Sequence, residues 1–205
     1  MSTETLTLGP SSWTHGKASN DDSFRGLTGA YQTIGRTGNR LLFVLAYENL
    51  VGARRKTMEA HERQLRNRIN RLQINMSTLK WVRTGAGGGT PLLVGGHLAG
   101  ATALSIDGAS NTITNWLTAA DYITVGNQLC EVIAPCNTSS GGAATISIWP
   151  ELHKNFADNT PVDISTPFGI FLQQEPAQYG SKTVYAAGDY LLSSLTFTLE
   201  QDVLA

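Results

Sequence analysis

Cysteine is scarce in this sequence: among 205 residues only Cys130 and Cys136 occur. They sit either side of a bend at Pro135 and close too small a loop to staple a fold, which argues against a disulfide framework. His97 and His153 complete a Cys2His2 inventory, but the spacing matches no zinc-finger pattern, so no metal or cofactor is expected. Long apolar runs are also missing. The longest, Leu41 to Tyr47, falls far short of the roughly 20 residues that a bilayer-spanning helix needs. Met1 to Gly9 is polar and threonine-rich, without a basic stretch leading into an apolar one, so no secretory signal is expected. These absences lead us to expect a soluble protein made in a cytoplasm, with no membrane partner.

Catalytic motifs are equally thin. His61-Glu62 begins like the helix of a zinc protease, but Leu65 stands where the second histidine would have to chelate the metal. The glycines before Thr90 lack the lysine of a phosphate-gripping loop, and no Gly-x-Ser-x-Gly nucleophile elbow occurs. Asp121 and Asp189 each precede an apolar run, a placement suited to the turn that opens a strand. The sequence therefore reads as a non-enzyme.

What the chain does contain is glycine, β-prone runs and one basic helix. With 41% hydrophobic residues and 21 glycines it reads as globular and loop-rich, long enough for one large domain or two small ones at about 100–150 residues each. The spacing predicts a helix from Ala53 to Leu72, with Met58, His61, Leu65, Ile69 and Leu72 as its apolar stripe. Asn49 is placed to cap it, and Gly52 allows a sharp turn into it. That segment carries +5 while the remainder carries −6, although the total is only −1. Glu59 with Arg63 and Glu62 with Arg66 form i,i+4 pairs worth about 0.2–0.5 kcal/mol each. They neutralise only part of the face, and a basic helix beside an acidic remainder suits contact with another copy of the chain.

Short strands occupy most of the rest. Leu27 to Gly35 and Arg40 to Tyr47 read as a hairpin across Arg36 to Asn39, and Gln73 to Met76 and Leu79 to Val82 as further strands. Composition changes at Gly85, where seven glycines fall between Gly85 and Gly100. Beyond it, Ala103 to Ile106, Tyr122 to Val125, Gln128 to Ala134, Ala143 to Trp149 and Val162 to Ile164 alternate as half-buried strands do, with Gly126-Asn127 a two-residue hairpin turn. A compact barrel or sandwich is expected there. From Phe168 longer strands return, and Leu195, Phe197 and Leu199 give the last of them one dry face. The economical arrangement pairs these strands with the N-terminal ones. Residues 1–84 and 168–205 then make a β-plus-helix domain into which residues 85–167 are inserted.

Particular residues carry a resemblance. Arg25 to Gly29, Gln32 to Arg40, Tyr47 to Gly52 and the helix ending Gln64 to Asn70, with Ala119 to Val125 and Ile146 to Leu152 followed by Pro161-Val162, resemble distal tail proteins of long, flexible-tailed bacteriophages. Two positions depart from that pattern: Ala120 stands where glycine is usual, and Trp149 stands before Pro150 where a smaller residue is. The resemblance implies a mainly β fold with one long helix, namely a tail-tube-like β-sandwich domain and an inserted OB-like or galectin-like barrel. It also implies a virion structural protein at the distal end of the tail. Six copies close into a ring hub that meets the tail-tube protein on one side and tail-tip or baseplate proteins on the other, with DNA passing transiently through the lumen. Arg63, Arg66, Arg68 and Arg71 would then form the subunit interface, and the helix would lie away from the channel. Two other readings compete: a single-stranded nucleic-acid binder that stacks bases on Trp116, Tyr122 and Trp149, or a carbohydrate-binding module using the same tryptophans.

Overall fold

The computed structural model describes residues 2–19, 22–25, 31–34, 38–65, 69–186 and 189–202. In chain order these form β1 (Thr3–Thr5), β2 (Ser12–Ala18), β3 (Asp22–Arg25), β4 (Tyr31–Ile34), β5 (Arg40–Leu50), α1 (Gly52–Leu65), β6 (Arg71–Asn75), β7 (Gly89–Leu93) and β8 (Ala103–Ala109). There follow β9 (Tyr122–Val125), β10 (Gln128–Val132), β11 (Ala144–Trp149), β12 (Val162–Asp163), β13 (Phe168–Gln173), β14 (Gln178–Tyr179), β15 (Lys182–Ala186) and β16 (Asp189–Gln201). The protein is mainly β, with one helix among the described residues.

One mixed sheet of eight strands runs β1, β6, β13, β16, β5, β2, with β14 and β15 also paired to β16. Its strands come from both ends of the chain. Strict alternation makes its dry face: Leu41, Phe43, Leu45 and Tyr47 of β5 are buried, and register sets the last three opposite Leu199, Phe197 and Leu195 of β16. Leu72 and Ile74 of β6 and Phe171 of β13 extend that face, and Met58 and Leu65 of α1 pack on it.

The second sheet runs β12, β9, β10, β11, β8, β7, all antiparallel, and curls until Leu92 bridges to Pro161 across the remaining gap. Its interior holds Leu104, Ile106, Trp116, Ile123, Val125, Val132, Ile146 and Ile148. Gly126 and Asn127 form the expected two-residue turn, since Val125 pairs directly with Gln128. The outer wall of this barrel covers the large sheet: Tyr122 and Leu129 belong to the first core, while their neighbours Ile123 and Cys130 belong to the second. Burial of Tyr122 and Leu129 is worth roughly 1.5–3 kcal/mol for each side chain. Thr124 adds a polar pin, its hydroxyl donating to the Phe168 carbonyl at 2.6 Å and accepting the Phe168 N–H at 2.7 Å.

Asp121 fastens the segment that leads into the barrel. Its buried carboxylate accepts the N–H groups of Thr84 (2.8 Å), Gly85 (3.0 Å) and Thr118 (2.8 Å), and the hydroxyls of both threonines. Burial pushes the carboxyl pKa up, but these donors outweigh it and hold the pKa below its ordinary 3.8. Its stabilising contribution is therefore present above that value and is lost as pH falls through the folded pKa. Arg83 then ties the incoming and outgoing segments together, donating to Gly85 O at 3.1 Å and Ile164 O at 2.7 Å.

Five local expectations are corrected. Among the described residues the helix spans Gly52–Leu65, and Arg71 and Leu72 lie in β6 instead of continuing it; Asn70 closes the turn between them, its N–H bonding Leu65 O at 3.1 Å and its side chain Gln64 O at 2.7 Å. Ile69, expected in the buried stripe, is 56% exposed. The hairpin across Arg36 to Asn39 is absent among the described residues, since β4 pairs with β3 while β5 lies between β16 and β2; residues 26–30 and 35–37 lie outside them. Leu79 to Val82 forms no strand; residues 76–80 are a turn, closed by Trp81 N–H on Met76 O. Asn49 sits in a left-handed conformation (φ 51°) rather than as a helix cap.

Two substitutions test this account. Asp121→Ala strands three backbone donors, so urea unfolding is expected to show a loss of about 3 kcal/mol or more, and a loss under about 1 kcal/mol contradicts it. Ala120 is left-handed (φ 68°), so Ala120→Gly is expected to stabilise by about 0.5–1 kcal/mol in the same assay.

Candidate functional site

The helix sorts its charges by face. Arg54, Lys56 and Arg63 point to solvent, whereas Arg55 and Glu59 are buried. Arg55 lies over the Tyr190 ring at 3.9 Å and pairs with Glu59 at 3.1 Å, and the Tyr190 hydroxyl also donates to Glu59. Burial raises the Glu59 pKa, but Tyr190 and Arg55 together hold it below its ordinary value. The sequence grouped Arg55 with the basic face; Tyr190, whose ring it covers, lies far along the chain, so no local signal marks it as inward.

Of the four arginines expected at a subunit interface, Arg63 and Arg71 fall among the described residues. Arg63 is 74% exposed and reaches Glu59 at 3.6 Å, the expected i,i+4 pair. Arg66 and Arg68 lie outside the described residues. Arg71 lies on β6 rather than on the helix, and Asp202, whose side chain is 4% exposed, engages it within the chain. The solvent-facing basic group on the described helix is therefore Arg54, Lys56 and Arg63.

The large sheet has a second face, which neither α1 nor the barrel covers. By register it carries Thr14 and Gly16 of β2, Leu42 and Val44 of β5, Thr196 and Thr198 of β16, Leu172 of β13 and Gln73 of β6. Its apolar members Leu42, Val44 and Leu172 join neither core. Two ion pairs neutralise charge on it, Arg40 with Glu200 at 2.8 Å and Arg71 with Asp202. The sheet is also open. β2 and the short β1 stand at its two ends with one side of each unpaired among the described residues.

The aromatics proposed for stacking are committed elsewhere. Trp116 is fully buried and its indole N–H donates to Gly88 O at 2.9 Å. Tyr122 is buried against Phe43 and Trp81, and the half-buried Trp149 ring lies under the Lys17 ammonium at 4.6 Å. No group of histidine, cysteine, aspartate or glutamate suited to holding a metal occurs among the described residues. Compared with known protein families and curated proteins, the sequence matches none.

The difference between Arg63 and Arg71 is measurable. Arg71→Ala leaves Asp202 buried without its cation, so a loss of about 1–3 kcal/mol is expected in chemical denaturation. Arg63→Ala is expected to change stability by less than about 0.5 kcal/mol. Equal effects would contradict the assignment of one arginine to folding and the other to solvent.

Proposed function

We propose that this protein is a structural component of a phage tail that closes head to tail into a ring, as the resemblance to distal tail proteins implies. The observation that carries the reading is the face of the open eight-stranded sheet that neither α1 nor the barrel covers. Its rows of hydroxyls, amides and small apolar groups hold their arginines in neutral pairs, and its two edges differ, so one edge can meet the other on a neighbour. In such a ring the uncovered faces line the channel, and the helix and barrel lie outside. A lumen without net positive charge adds little salt-sensitive drag on passing DNA.

On this reading Arg54, Lys56 and Arg63 supply the positive flank, and acidic groups of a neighbouring copy or hub protein answer it. Six-fold closure and contact with tube and tip proteins follow from the resemblance. Sizing chromatography with light scattering tests the flank directly. Arg54→Glu with Arg63→Glu is expected to weaken ring assembly by about tenfold or more in protomer concentration, and more at low salt. Rings of unchanged size and stability in the double variant would count against the assigned flank.

A further inference from the structure

The two end strands of the large sheet carry opposite charge on the same face. Glu4 of β1 lies beside Leu72 of β6, and Leu72 belongs to the first core, so Glu4 points to the face that α1 and the barrel cover. Trp13, His15 and Lys17 of β2 lie opposite Leu45, Phe43 and Leu41 and point to that face too. His15 and Lys17 are exposed, and Trp13 is half-buried against Phe43 at 5.6 Å. The layer above the sheet reverses the signs. Over β1, α1 brings Arg63 to the open polar cavity that Ser2, Glu4, Gln64 and Asn70 also line. Over β2, the barrel brings Trp149 under the Lys17 ammonium, and opposite Trp149 in register stands Glu131, whose buried Oε2 accepts no hydrogen bond among the described residues. A carboxylate oxygen shut away without a donor costs free energy, and a cation from outside the chain offsets that cost.

Strand direction decides which edges can meet. β1 runs parallel to β6, and four antiparallel steps, from β6 through β13, β16 and β5 to β2, bring β2 back to the direction of β1. Two copies related by a two-fold axis present like edges, and would set Lys17 against Lys17 or Glu4 against Glu4. Rotation about an axis along the strands instead sets β1 of one copy beside β2 of the next, pointing the same way. We propose, resting on the head-to-tail reading, that β1 of a second copy adds in parallel to the free side of β2, with its Glu4 against His15 and Lys17 and its Arg63 turned toward Trp149 and Glu131. β1 has only three residues, so its backbone pairing is weak and the side-chain charges choose the partner. The same joint sets α1 of one copy alongside the barrel of the next. Residues 85–167 hold six carboxylates against the single Lys154, so that barrel is the acidic surface that answers the α1 flank.

Paired cysteines test the joint in the full chain, whose own Cys130 and Cys136 are buried. Glu4→Cys combined with Lys17→Cys, or with His15→Cys, is expected to give a ladder of disulfide-linked oligomers on non-reducing gels after mild oxidation. The two positions lie at opposite ends of one sheet, so the bond forms only between copies. Each single variant is expected to give no ladder and no dimer; a covalent dimer of either one means that like edges meet, and overturns the proposal. Charge exchange supplies a second readout that needs no new bond. Lys17→Glu alone is expected to weaken assembly about threefold or more in sizing chromatography, and Glu4→Lys added to it to restore assembly. Wild-type rings with neither ladder nor rescue overturn the joint and leave the ring reading standing, whereas a wild-type chain that stays monomeric overturns both.

Discussion

Strands β9 and β10 are asked to be wet on neither side, and the rest of the architecture depends on that. Their inward residues, Ile123, Val125, Cys130 and Val132, fill the barrel; their outward residues, Tyr122 and Leu129, roof the large sheet. A barrel wall that faces solvent has polar outward positions, whereas here Tyr122 and Leu129 are buried in the first core and Thr124 is hydrogen-bonded into the neighbour. Thr124 bonds both backbone groups of Phe168, and Gln201 reaches across to Leu129 O at 2.8 Å. The two cores are therefore joined through a shared layer, with specific polar bonds fixing how one sits on the other.

The barrel and α1 both occupy the same side of the sheet, so neither covers the opposite side. Two unlike edges on an open sheet are what the proposed head-to-tail ring requires. The neutral pairs Arg40 with Glu200 and Arg71 with Asp202 keep that face free of concentrated charge. The exposed cations of the helix lie on the other side of the sheet.

What could be read from the sequence was local. The Gly126-Asn127 turn needs only its two residues and the alternation around them, and it is found as expected. The helix start was legible, its end was not: Leu72 continues a helical stripe in sequence, but it is apolar because it alternates with Ile74 in β6. The roles of Arg55 and Arg71 were hidden because Tyr190 and Asp202, which engage them, lie more than a hundred residues away. Trp116 looked like a stacking platform until its indole was seen bonded to Gly88 within the barrel. The misjudged hairpin has the same origin, for nearness in sequence favoured a partner that β16 and β2 displace.

Assembly is the claim on which the functional account turns, and averaged electron micrographs of the purified chain address it most directly. The account predicts closed annuli with an open centre, helices and barrels at the periphery, and the bare sheet face toward the hole. Particles that stay single protomers at the highest attainable concentration, or rings whose inner wall is the barrel, would contradict it.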